Sequence, residues 1–329
     1  MDEIDLSWFI TPLSWLSVEV LSIVLLFYVI SDAITQFKKS HAIMRIGEFF
    51  AFMLYAGLYE NVGVGANIYY YSLNRFIMFG RVPLSVLIIE AAVFYSLMRL
   101  AEKTKMPLWS KPFLVGLGGL LSDLTIDPSS VFDLHLVNGV MEGRWNWTTH
   151  YDNLFFGIPF FNFTGWFTMM FYFSTFVLLG REIYEKKQQK MSVGVAYILI
   201  SVLLSLVVLV SPINTFLLFM QPIFPQNTRI AEITMLLIIS TISTLISWKF
   251  FSLSTPLSFS KDRIIWLIPI VLHIYDILAA FLVKIRIAYI PSLLFGIPHS
   301  LLLWWMFRRN QSNTNRKLNP SRIKGEKKI

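Results

Sequence analysis

Two aspartates four positions apart, Asp123 and Asp127, stand where the apolar runs of this sequence give way to polar and aromatic residues. On a helix that spacing turns both carboxyls to one face, with about 5–6 Å between their β-carbons. Such a pair suits three kinds of work. Two carboxyls crowded together in apolar surroundings share a proton, and one of them becomes a general acid. The pair could instead hold a magnesium ion for a diphosphate, or cap and solvate a helix end at an interface. Pro128 follows at once. It lacks an N–H and disfavours helical geometry in the residue before it, which predicts that the helix ends at Asp127.

The surrounding segment, Ser122 to Trp166, also holds Trp145, Trp147, a Gly157-Ile158-Pro159 turn and the run Asn162-Phe163-Thr164-Gly165-Trp166. Glu60 closes an earlier apolar run, ahead of Gly63, Gly65 and the tyrosines Tyr69, Tyr70 and Tyr71. Singly, these rings suit the belt at a membrane–water interface. Gathered around carboxyls, their faces would stabilise a developing cation. Asn162 could cap a helix or point its amide into a cavity. Other ionisable residues lie within apolar runs, where each costs several kcal/mol unless it is paired or lines a cavity. Glu48 has Arg45 three residues away and reads as a structural pair. Asp32 reads as interfacial, and Asp276 as a further buried acid. Glu19 and Glu90 divide evenly between helix packing and a cavity role.

The elements that must position these residues are apolar helices. The chain is 55% hydrophobic and only 15% charged, with 29 Phe in 329 residues; a soluble domain carries about 25% charged residues. Spans of about 20 apolar residues fall at 13–34, 43–62, 83–101, 112–130, 159–180, 192–213, 230–250, 264–284 and 287–307. The expected fold is therefore an all-α, polytopic transmembrane bundle of eight to nine spans, one membrane domain over 1–307. Residues 63–82 read as a re-entrant or interfacial piece. Residues 308–329 read as a basic, disordered tail.

Alternate connections and the tail hold twenty-two of the Lys and Arg residues, against six on the other side. The positive-inside rule then puts the N-terminus outside and the C-terminus in the cytoplasm, in a multi-pass protein of the cell membrane. The basic excess follows membrane flanks and so does not point to nucleic acid. The absence of Cys excludes thiolate chemistry, and the five His form no H-E-x-x-H or H-x-x-x-H pair. Neither a metal site nor a cofactor is expected.

Taken together, Glu60 with Gly63, Gly65 and the tyrosines, Asp123 and Asp127 with Pro128, Trp145 and Trp147, the Gly157–Pro159 turn and the Asn162–Trp166 run resemble the carotenoid biosynthesis membrane-protein family. That family includes hydratases of the carotenoid 1,2-hydratase and bisanhydrobacterioruberin hydratase type. The resemblance covers about residues 48–175, and the order D-x-x-x-D-P to N-F-x-G-W is its most specific part. It implies acid-catalysed addition of water across a terminal C=C of an acyclic carotenoid. Asp123 would donate the proton and Asp127 would partner it or orient water, or the two roles are reversed. Glu60 and Asn162 would assist, and Tyr70, Trp145, Trp147 and Trp166 would wall the cavity. The implied partners are a polyene arriving laterally from lipid, the membrane lipid itself and other carotenoid-pathway enzymes. Two other readings stand beside this one: an intramembrane prenyltransferase, and a non-enzymatic transporter or assembly protein with Glu19, Glu90 and Asp276 as a proton relay.

Overall fold

The computed structural model of the protein describes residues 11–72, 75–148, 154–219, 228–255, 257–282, 290–304 and 306. Its helices are α1 (Leu13–Gln36), α2 (Lys39–Gly65), α3 (Leu84–Glu102), α4 (Lys111–Val131), α5 (Phe160–Lys186), α6 (Met191–Leu209), α7 (Pro212–Phe219), α8 (Thr228–Phe250), α9 (Arg263–Leu282) and α10 (Ser292–Trp304). Prolines set several starts. Pro12, Pro83 and Pro159 stand just before α1, α3 and α5 with φ of −52°, −63° and −62°, a geometry fixed by the ring at no loss of an internal hydrogen bond.

The result is an all-α bundle in which, among the described residues, seven helices are long and apolar enough to cross a membrane: α1, α2, α3, α5, α6, α8 and α9. Two of the nine expected spans differ in kind. A helix does occupy the place of the fourth, but α4 carries two Asp, three Gly and several hydroxyls and falls outside the apolar set. The ninth corresponds to the short α10, and residues 283–289 and the expected tail at 308–329 lie outside the described residues. The sixth expected span is α6 followed by the separate, short α7.

Burial explains why α4 can be polar. It packs against α3, α5, α8, α9 and α10, so its hydroxyls and carboxyls meet protein rather than lipid. Helix α3 is equally central, with 89% of its apolar window buried, whereas α1 and α6 bury 33% and α8 28%. Those outer helices leave Phe27, Leu203 and Leu237 exposed, an arrangement suited to an apolar solvent.

One end of the bundle is closed by ion pairs. Glu48 of α2 accepts from Arg45 at 3.2 Å, Arg181 Nε at 2.7 Å and the Tyr197 hydroxyl at 2.6 Å. Arg45 and Arg181 also reach Glu102, at 2.8 and 2.5 Å. Asp32, at the same end, is buried between Tyr95 at 2.9 Å and Arg99 at 3.1 Å.

The other end is capped by short strands. They are β1 (Tyr69–Tyr71), β2 (Met78–Phe79), β3 (Val82–Pro83), β4 (His135–Val137), β5 (Val140–Glu142), β6 (Trp145–Trp147), β7 (Leu154–Phe155) and β8 (Ile158–Pro159). Three are hairpins between chain neighbours, and the β4–β5 turn is Asn138-Gly139 with φ of +50° and +81°, as a two-residue hairpin turn requires. The fourth pair joins distant segments. β1 pairs antiparallel with β6, Tyr69 opposite Trp147 and Tyr71 opposite Trp145. Part of the 63–82 segment is thus a strand that ties the α2–α3 connection to the α4–α5 connection.

Candidate active site

Helix α4 brings Asp123 and Asp127 to one face as their spacing predicts, and neither is more than 6% exposed. The helix does not end at Asp127. It runs through Pro128 to Val131, which corrects the expected stop. A proline inside a helix costs about 3 kcal/mol, and here tertiary bonds offset it. Asn162 holds Asp127, Ser129 Oγ donates to Asp276 at 2.8 Å, and Arg144 Nη2 donates to Ser129 Oγ at 3.0 Å.

Asn162 lies in the first turn of α5 and bridges the pair. Its Nδ2 donates to Asp123 Oδ2 at 3.1 Å and to Asp127 Oδ2 at 2.6 Å, one amide hydrogen for each carboxyl. The two carboxyls are neighbours joined through that amide. Asp123 Oδ1 is buried with no hydrogen-bond partner. Among the described residues, no Lys, Arg or His lies within ion-pair distance of Asp123, Asp127, Glu60 or Glu90.

A cavity of about 60 Å³ adjoins the pair, lined by Asp127, Asn162, Glu60, Glu90, Trp145 and Trp166 among others. Asp123 lies behind Asp127 and does not line it. A second hollow of about 140 Å³ shares Glu60, Asn162 and Trp166 with the first and continues past Gly63 and Met169 to Val62, which is 57% exposed on the outer surface. The acid pair therefore stands close to a second hollow between α2 and α5, with Glu60, Asn162 and Trp166 bordering both.

Glu60 is held by two phenols on a single oxygen, Tyr69 at 2.5 Å and Tyr71 at 2.8 Å. Burial first, and Glu60 second, pushes both phenols well above their ordinary value, so they remain donors. Gly63 makes room for this clamp, since a β-carbon there would stand 2.7 Å from the Tyr69 hydroxyl oxygen.

The strand geometry corrects one expected wall residue. Tyr70 lies on the opposite face of β1, half-buried and paired in register with Asn146, because successive strand side chains alternate. Tyr71 lines the cavity in its place. Trp145 also lines it, while Trp147 packs behind, with ring centroids 4.9 Å from Trp145 and 5.6 Å from Phe161.

No protein-family model, curated protein or solved structure matches this chain.

Three cavity residues escaped the sequence reading or were left undecided by it. Arg75 donates to Glu19 at 2.6 Å and to Ser85 at 3.0 Å, and Arg144 pairs with Asp133 at 3.3 Å; both guanidinium groups line the cavity. Glu90 lines it with Oε2 buried and unpartnered. A signal for the arginines was present, since they are two of only six basic residues on their side of the charge count. Glu19 reaches the cavity through Arg75, and Asp276 through Ser129 and Arg144. A guanidinium does not release its proton, so these links do not make Glu19, Glu90 and Asp276 one relay. Among the described residues, no group of three or more His, Asp or Glu side chains is placed to hold a metal ion.

Proposed function

We propose that this chain is an integral protein of the cell membrane, N-terminus outside and C-terminus in the cytoplasm, that adds water to the terminal C=C of an acyclic carotenoid end. The observation that carries the reading is a buried acid pair with no cation within ion-pair distance among the described residues, bridged by one amide and bordering an aromatic-lined cavity. Burying a carboxylate without a cation is costly, so such a group keeps its proton and can give it away.

Asp127 faces the cavity and is the donor, which reverses the order of roles first expected of the pair. Its proton goes to the =CH carbon of the terminal isopropylidene group, and the positive charge forms on the carbon bearing the two methyls. The faces of Trp145 and Trp166 shield that cation. Water adds to it and gives up a proton, leaving a tertiary alcohol, and the carboxyl pair is restored. Asp123, in contact with Asp127, holds the shared proton in place, and Asn162 fixes the orientation of both. The polyene chain lies along the neighbouring hollow between α2 and α5, toward lipid, as an apolar substrate drawn from the bilayer would.

The test is expression in cells that make acyclic carotenoids, followed by pigment analysis. A more polar, hydroxylated pigment is expected. An unchanged pigment profile with well-expressed protein overturns the reading.

A further inference from the structure

A separate groove runs along the outer surface between α5 and α6, with a volume of about 510 Å³. Leu179, Ile183, Val193, Ala196, Ile200 and Leu204 form most of its wall. It lies away from the acid pair and shares no residue with the cavity or the second hollow. From Ser192 to Leu204 it spans twelve residues of α6, which at about 1.5 Å per residue is roughly 18 Å. One leaflet of a bilayer contributes about 15 Å of hydrocarbon. The groove therefore has the depth of a single lipid chain.

Its rim is basic. On α5, Leu179 and Ile183 continue in helical steps of four to Lys187, and on α6 Lys190 stands two residues before Ser192. Both lysines are exposed, and neither has an ion-pair partner within 4 Å among the described residues; Lys186, by contrast, is paired with Glu182 at 2.6 Å. The turn between them is held in one shape. Gln188 and Gln189 sit at φ of +55° and +59°, Gln189 Nε2 donates to Glu185 at 3.0 Å, and its amide oxygen accepts from Ser40 of α2 at 3.1 Å. The two lysines thereby flank a shaped turn at one end of the apolar trough.

We propose that this groove binds one anionic glycerophospholipid, an acyl chain along α6 and the phosphate between Lys187 and Lys190. The positive-inside count places this rim in the cytoplasmic leaflet, where anionic lipids concentrate. The site is independent of the hydration reading.

The experiment uses the full chain, purified in detergent and titrated with phosphatidylglycerol or phosphatidylcholine of identical acyl chains, with retained lipid counted by native mass spectrometry. Glycerol phosphate alone serves as the headgroup control. Phosphatidylglycerol is expected to saturate at one per chain and to bind at least tenfold more tightly than phosphatidylcholine, while glycerol phosphate is not retained. Lys187→Gln with Lys190→Gln, both at exposed positions, is expected to reduce that preference to less than threefold. Ala196→Trp, also at an exposed position, is expected to abolish retention of both lipids at unchanged helicity. Equal retention of the two phospholipids, or a preference untouched by the lysine changes, overturns the proposal. So does full occupancy in Ala196→Trp, and retention of glycerol phosphate shows a phosphate site without a lipid.

Discussion

Asp127 and Asp123 share an amide donor but do not share a position, and that difference separates their mutants. Asp127 borders the cavity, whereas Asp123 is fully buried behind it. A positioned general acid contributes about 10²–10⁴-fold to rate, so Asp127→Asn is expected to lower pigment hydration by that factor. Asp123→Asn should cost less, because the amide can still donate to Asp127 but holds no proton to share. Product per unit of membrane protein, with expression checked by immunoblot, measures both; equal activity in Asp127→Asn and the parent removes Asp127 from the reaction. Gly63→Ala offers a subtler probe. The added methyl meets the Tyr69 hydroxyl, so one of the two phenols on Glu60 is displaced and a tenfold or smaller loss is expected, matched by Tyr69→Phe, which removes that phenol directly. The acid pair was legible in the sequence because four-residue spacing alone fixes a helix face. The choice of Tyr71 over Tyr70 was not, since it depends on a three-residue strand whose register is set by Trp145, more than seventy residues along the chain.

Helices meet at the ionic end through groups that no local pattern announces. Asp32 finds Arg99 and Tyr95, and Glu48 finds Arg181 and Tyr197, because of how each helix is rotated about its own axis. The pair visible beforehand, Arg45 with Glu48, lies within a single helix. Breaking a buried pair costs about 3–5 kcal/mol because the surviving charge is stranded, whereas an exposed pair is worth under about 1 kcal/mol. Glu48→Gln is therefore expected to lower the thermal midpoint of the detergent-solubilised chain markedly, and Glu182→Gln, which frees only the exposed Lys186, to leave it within error. Equal midpoints for the two variants would mean that the ionic end does not hold α2, α5 and α6 together. The continuation of α4 through Pro128 belongs to this scale as well. The intrinsic preference was read correctly, but bonds from Asn162 and Asp276 outweigh it, and those partners lie on other helices.

The whole molecule has two unlike ends, and their difference makes the topology testable. One end collects the ion pairs of Asp32, Glu48 and Glu102 and most of the basic flanks, and the other carries the hairpins, the β1–β6 tie and the Arg144–Asp133 pair. The count of twenty-two basic residues against six could be read without coordinates because it needs only the identity of the residues beside each apolar run. The β1–β6 pairing supports the same partition independently, since it places the α2–α3 and α4–α5 connections together at one end, as alternate connections must be. The sequence has no cysteine, so each cysteine introduced is unique. Met141→Cys sits at an exposed position of the β4–β5 hairpin, and Thr255→Cys at an exposed position between α8 and α9 near Lys103. In intact cells a membrane-impermeant maleimide is expected to label the first and not the second, and to label both after permeabilisation. The opposite pattern would place the hairpin end in the cytoplasm, and the acid pair, which lies nearer that end, would then draw on the cytoplasmic side for the water that the proposed hydration needs.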